Sequence, residues 1–358
     1  MKITYIVGNG FDRQMGLASA YSDFLEEYIK PKDNDSTNIK EFKKYLSQDE
    51  SRELWSDAEY GMGQHLCDFS DASIEDYTER VTDFEEKLID YLTLEQEKCC
   101  FNNENEIKTV FTDFLFNSYH DVLNNRGNGV SPNHAEHSYY SFVSFNYTDT
   151  LDRIIATCVE KNSFRNRTVK SSEYRDVFHG IHHVHGTLED GIIMGVNDES
   201  QLKTNKSINL NDQLRWTTIK PRINSASGNN WDAPAKAKIS ESDIVAIYGV
   251  SFGETDKMWW HYLKEWLSSN GNHKLIWFVR DSQTVNPRIL HQMISYDINK
   301  RTELLNKLGF TNDDPKYNDL LDQVFIIRNT ERLNLKDLLH PNNESSSEEP
   351  HKEYAFSV

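Results

Sequence analysis

A chain of 358 residues, 12% of them aromatic, is long enough for one large domain with an insertion or for two domains. Its 57 acidic and 39 basic side chains leave a net charge of −18, which favours solubility and disfavours general attraction to a nucleic-acid backbone. No apolar run approaches the ~20 residues of a membrane span, no signal peptide follows Met1, and Cys67, Cys99, Cys100 and Cys158 lack Cys-x-x-Cys spacing, so the expectation is a cytoplasmic protein with reduced thiols and no zinc knuckle.

The first element is the apolar, β-branched run Lys2–Val7, which reads as a buried strand. Gly8-Asn9-Gly10-Phe11-Asp12 ends it, and a helix follows. Glycines allow a ligand close to the main chain, and the free N–H groups of a helix start favour an anion, which is the geometry of a nucleotide pyrophosphate site. The third glycine of the dinucleotide fingerprint is replaced by Arg13, so the loop alone is equally well a tight turn. After the polar break at residues 31–36, Ile74, Tyr77, Val81, Phe84, Leu88 and Tyr91 mark one amphipathic helix, and Ile107, Val110, Phe111, Phe114, Leu115 and Val122 a second. Residues 36–130 therefore read as a helical insertion into an α/β domain made of 1–35 and 131–340.

Strand and turn patterns resume at Tyr140–Phe145, followed by Asn146-Tyr147-Thr148-Asp149 and a helix with Leu151, Ile154 and Ile155. Residues 161–176, with Lys161, Arg165, Arg167, Lys170 and Arg175, read as an exposed basic loop. His182–Gly186 looks like a strand end, residues 191–196 a short strand, and the stretch with Trp216 and Trp231 carries no clear pattern. Asp243–Tyr248 is a buried strand ending at Gly249-Val250-Ser251. Asp256, Trp259, Trp260, Tyr262 and Trp266 ride the next helix, whose aromatics read as core or oligomer surface. Residues 275–279 and 324–327 are further strands, and 341–358 an acidic, disordered tail. Strands alternating with helices predict an α/β fold with a Rossmann-like, doubly wound, mostly parallel sheet.

In such a sheet, ligands lie beyond the carboxyl ends of the strands. Four strands end there in Gly8-Asn9-Gly10, Asn146, His185-Gly186 and Gly249-x-Ser251. With the segments GNGFDRQMGLASAYSDFL (8–25), LWSDAEYGMG (54–63), SFNYTDTLD (144–152), HVHGTLEDGIIMGVND (183–198) and IYGVSFGETDKMWW (247–260), the chain resembles the bacteriophage abortive infection H (AbiH) family. That family looks like a distant relative of sirtuins and sirtuin-like NAD hydrolases. The resemblance implies NAD as substrate. Gly8, Asn9, Gly10, Phe11, Asp12, Tyr21, Tyr147, Asp149, Gly249, Ser251 and Asp256 would bind it, and Asn146 and His185 would be catalytic at the nicotinamide ribose. Two positions depart from the sirtuin pattern. Asp12 stands where a serine is usual, an acid that would repel a pyrophosphate unless it caps the helix. Thr148 stands where an aspartate is usual, with Asp149 one residue on. The paired cysteines of the sirtuin zinc module are missing, so NAD cleavage is expected rather than protein deacetylation.

That chemistry suits the residues. Nicotinamide leaves as a neutral group from an oxocarbenium-like sugar, so positioning and electrostatic stabilisation matter more than a strong nucleophile. An asparagine amide can grip a hydroxyl and a water together, and a histidine can take a proton at cellular pH. Other readings stand beside it: Asn146 as a helix cap, His183 and His185 on one strand face as a metal pair, and Glu59 as a solvated helix acid or, from its place in a family-like motif, one facing the pocket. No carboxylate or cysteine completes a ligand set beside the histidines, so no metal is expected. The functional expectation is a phage-defence effector that hydrolyses NAD, with a homo-oligomer and a phage-derived trigger as admissible partners and no membrane. A non-hydrolytic NAD or ADP-ribose sensor and a nucleic-acid effector using the basic loop are the alternatives, the latter disfavoured by the net charge.

Overall fold

The computed structural model describes residues 1–48, 57–65, 74–118, 136–169, 171–203, 212–283, 285–286 and 288–341. Strand β1 (Lys2–Val7) lies at the centre of a seven-stranded sheet, between β2 (Ser138–Ser144) and β7 (Ile244–Tyr248). Beyond β2 come β4 (Ser172–His183) and the edge strand β3 (Ser163–Val169); beyond β7 come β8 (Lys274–Val279) and β9 (Val324–Arg328). All neighbours pair in parallel except β3 with β4. Counted along the chain, the six parallel strands stand in the order 3-2-1-4-5-6, the dinucleotide-binding arrangement. The register sets Val7 beside both Ser144 and Tyr248, so the loops leaving β1, β2 and β7 start level with one another.

Strands buried on both faces need apolar residues throughout, and alternate side chains serve opposite layers. Ile3, Tyr5 and Val7 of β1 join one core with helices α6 (Glu104–Asn117) and α7 (Thr150–Cys158); Ile6 joins the other, with α10 (Asp232–Ser240), α11 (Lys257–Ser269), α12 (Leu290–Lys307) and α13 (Tyr317–Gln323). Trp259, Trp260 and Trp266 are buried in this second core. A third cluster joins α2 (Tyr21–Tyr28), α3 (Thr37–Leu46), α4 (Ala58–His65) and α5 (Ile74–Glu97) through Phe24, Tyr28, Phe42, Met62 and Phe84. Packing thus puts α6 against the sheet and α2 with the helical cluster. The expected positions Val122, Cys67, Lys170 and the tail from 342 lie outside the described residues. Among the described residues no helix is long and apolar enough to cross a membrane.

The expected basic loop at 161–176 is instead the β3–β4 hairpin. Arg165 Nε and Arg167 Nε approach Asp176 Oδ2 at 2.5 and 3.0 Å, and Asp176 is fully buried. Those two cations neutralise an internal acid, which is why their alternation reads as a polar loop and folds as an edge strand. β4 is longer than expected and irregular: the register shifts between Tyr140 and Phe142 of its partner, near Gly180 at φ +113°. The expected strand at 191–196 shrinks to β6 (Gly191–Ile192), paired with β5 (Gly186–Thr187).

Candidate functional site

A cleft of about 1330 Å³ opens at the carboxyl ends of the strands, on the seam between β1 and β7 where the strand order reverses. Gly8 N–H donates to the Tyr248 carbonyl at 3.0 Å and Gly10 N–H to the Gly249 carbonyl at 2.8 Å. A Cβ on Gly10 would stand 2.6 Å from Gly249 Cα, and one on Gly249, at φ +69°, would stand 2.5 Å from Phe11 N. The two loops interlock backbone on backbone, so glycine is required there by the neighbouring loop before any ligand is considered. Helix α1 (Gly10–Met15) is only six residues long and ends at Gly16, φ 100°. Asn9 side-chain Nδ2 donates to the Ser19 carbonyl at 2.9 Å, tying the loop to the segment that leads into α2.

Asp12 does not cap that helix. It is 2% exposed, and its Oδ2 accepts the Thr148 hydroxyl at 2.6 Å. The two departures from the sirtuin pattern are therefore partners in one hydrogen bond across the β1 and β2 loops. Burial pushes the Asp12 carboxyl from 3.8 up to about 7, so at neutral pH much of it carries no charge. Asp149 sits one residue outside the cleft; its backbone N–H donates to Gln96 Oε1 at 3.1 Å. Phe11 is also outside, packed edge-on to Tyr248 with ring centres 6.2 Å apart.

Gly8, Asn9, Gly10, Asp12, Tyr21 and Asn146 line the cleft, as do Tyr147, His185, Gly249, Ser251 and Asp256. Asn146 is 6% exposed; neither amide atom of its side chain makes a well-formed hydrogen bond among the described residues, although the amide lies beside the Asp12 carboxyl and works against the burial that raises it. It does not cap α7, whose N-cap position is Asp149.

His185 belongs to a buried charge network that the sequence did not disclose. Its Nε2 lies 2.9 Å from Asp256 Oδ1 and its Nδ1 3.3 Å from the Phe145 carbonyl oxygen. Lys220 Nζ stands between two acids, 2.6 Å from Glu59 Oε2 and 2.7 Å from Asp256 Oδ1. Glu59 also accepts hydroxyls from Tyr147 at 3.1 Å and Thr255 at 3.0 Å. Burial pushes the Glu59 carboxyl up in spite of Lys220. Against the same push, Lys220 and His185 hold Asp256 well below the usual carboxylate range. Burial works to lower the Lys220 ammonium, but Asp256 and Glu59 hold it well above its ordinary value. Four distant segments meet here. Lys220 opens α9 (Lys220–Ser227), pinned by a bridge between Val196 and Ile219 and by its own N–H to the Val196 carbonyl at 2.9 Å.

His183 turns elsewhere. Its Nε2 meets Asp152 Oδ2 at 2.9 Å and its Nδ1 the Asn146 carbonyl at 3.0 Å. Burial opposes protonation of this ring, yet Asp152 raises it overall. Strand alternation set His183 and His185 on one face, but β4 ends at His183, and the chain turns before His185. Sequence reasoning passed over Lys220, which lay in a stretch without periodicity; Glu59, read as a solvated helix acid or, from its place in a motif, a pocket-facing one, is buried in the cleft wall.

A family model described as Bacteriophage abortive infection AbiH matches residues 4–279, from within β1 to the end of β8. No curated protein matches the chain.

Proposed function

The chain belongs to the bacteriophage abortive infection AbiH family, and we propose that this phage-defence protein hydrolyses NAD to ADP-ribose and nicotinamide in the cleft described above. The observation that carries the reading is Asn146: a buried amide with no well-formed hydrogen bond among the described residues, in a cleft at the seam where this strand order takes a dinucleotide. An unsatisfied buried polar group costs roughly 1–3 kcal/mol, and a ribose hydroxyl with an attacking water would satisfy it. The pyrophosphate would cross the interlocked β1 and β7 loops, where a half-neutralised Asp12 lessens repulsion. As nicotinamide departs, positive charge grows on the sugar, and Glu59 and Asp256 supply fixed negative charge in the same wall. His185 takes a proton from a ribose hydroxyl only by releasing Asp256 or Phe145, so its first task in this reading is to hold Asp256 in place.

The test is nicotinamide release from NAD by the purified full chain, with and without lysate of phage-infected cells. Asn146→Ala should lower release by ~10²–10³-fold, the usual loss for one preorganised polar group. Its melting temperature should stay close to the wild-type value, because the side chain makes no well-formed hydrogen bond to a described residue. Full activity in this variant, or no release by the wild type under either condition, retires the proposal. A second reading, a sensor that binds NAD or ADP-ribose without turnover, is favoured by the engagement of both His185 ring nitrogens. Calorimetric binding of NAD to the wild type with no nicotinamide formed would select it.

A further inference from the structure

The wall that holds Asn146 has an unusual composition. Glu59, Asp256 and Asp57 all line the cleft there. Lys220 is bonded to the first two, leaving three carboxylates against one ammonium and one imidazole. Burial pushes both the Glu59 and the Asp57 carboxyls upward, and Lys220 opposes that push at each. Aromatic rings stand among these acids. Phe145 stacks on Trp260 with centres 5.6 Å apart and planes 13° apart, and meets the His185 ring edge-on at 5.1 Å. The Tyr147 hydroxyl ends on Glu59, with Tyr21 beside it. Ring faces and carboxylates together are the recognised surroundings of a desolvated organic cation. The Asn146 amide, 6% exposed in the same wall and without a well-formed hydrogen bond among the described residues, offers a donor and an acceptor to a carboxamide or hydroxyl.

We propose that this end of the cleft is a binding site for a cationic, N-substituted pyridinium, the class to which an oxidised nicotinamide ring belongs, selected over its uncharged forms. The proposal rests on the NAD reading for orientation but makes a separate claim. The acids recognise the positive charge of the ring before any bond breaks, and they favour departure of the ring once it becomes neutral. Lys220 tunes this charge from behind: it lines the small space on the far side of the wall, with Pro221 and Asn224, and does not line the cleft. Without it two buried carboxylates would repel; with it, the carboxylates of this wall still outnumber the one ammonium.

The experiment is calorimetry on the full chain with 1-methylnicotinamide, a cation with no glycosidic bond to cleave, and with nicotinamide, its neutral counterpart. The cation should bind at least about tenfold more tightly, as expected for a desolvated cation–aromatic contact reinforced by charge. Glu59→Gln should bring the ratio toward one. If that variant fails to fold because Lys220 loses a partner, Asp57→Asn carries the test, since Asp57 accepts backbone N–H groups at the start of α4, that of Tyr60 at 3.0 Å, and an asparagine oxygen can accept them too. Equal affinities in the wild type, no binding of the cation at millimolar probe, or a ratio unchanged in a folded Glu59→Gln or Asp57→Asn variant would overturn the proposal. A cation preference without NAD cleavage would leave this site standing and remove only the hydrolase reading; cleavage without the preference would do the reverse.

Discussion

The two walls of the cleft are built on different principles. Between β1 and β7, backbone meets backbone: Gly8, Gly10 and Gly249 leave no room for a Cβ, and main-chain hydrogen bonds of 2.8 and 3.0 Å fix the loops. On the side of β2 and β4, side chains do the holding, and Glu59, His185, Lys220 and Asp256 come from four separate segments. A backbone wall fixes shape and is indifferent to chemistry. A wall of buried charges fixes chemistry, and it depends on each partner being present, because a charge left alone in the interior is costly.

The largest expected effect follows from that dependence. Lys220→Met removes the ammonium from between Glu59 and Asp256 and should destabilise the fold by ~3–5 kcal/mol, the usual result of breaking a buried ion pair from one side. Denaturant unfolding checks it, and a second substitution, Glu59→Gln, should recover part of the loss by removing one orphaned charge. A Lys220→Met protein as stable as wild type would mean that the network is solvated.

Gly249→Ala probes the opposite wall. The methyl group would meet Phe11 N at 2.5 Å from a residue held at φ +69°, so a cost of roughly 1–3 kcal/mol is expected from backbone strain. Thermal unfolding measures it. The Lys220–Glu59–Asp256 contacts should survive this change; equal disruption of both walls would deny the contrast drawn between them.

The gentlest effect is a pH dependence where the walls meet, at Asp12. Its carboxyl rises from 3.8 to about 7 on folding, so the folded chain keeps a proton that the unfolded chain releases. The stability this supplies is complete below about pH 4 and is lost as pH rises toward 7, with a slope of at most ~1.4 kcal/mol per pH unit. Asp12→Asn lacks that proton but keeps an acceptor for Thr148. Its stability relative to wild type should therefore climb between pH 4 and 7 in denaturant titrations. A difference between the two proteins that stays flat with pH would show that Asp12 is charged throughout.

Much of this was open to a reader of the sequence. Lys2–Val7, residues 140–145, 243–248, 275–279 and 324–327 are apolar runs punctuated by Gly or Asn, and continuous hydrophobicity with strand-helix alternation implies a parallel sheet because both faces must be covered. The endings Gly8-Asn9-Gly10, Asn146, His185 and Gly249-x-Ser251 could be assigned to one end of it, since that is where the loops of such a sheet gather. Periodicity also set the long helix at 74–97, where Tyr77, Phe84 and Leu88 are buried.

What only the tertiary structure decided is which of these groups meet, and on what terms. Hydrophobic period is a local signal, fixed by neighbours along the chain; ion pairs and buried hydrogen bonds are set by contacts 36 residues apart, as between Lys220 and Asp256, or 196 apart, as between Thr255 and Glu59. Lys220 had no pattern to announce it, and the alternation that joined His183 to His185 failed one residue past the strand. Arg165 and Arg167 looked solvated until Asp176 was seen beneath them. Asp12 and Thr148 were two separate oddities in sequence and are a single hydrogen bond in space, because β1 and β2 run side by side and deliver their loops to the same height. Burial, which no single residue carries in its name, then set the protonation of Asp12 and Glu59.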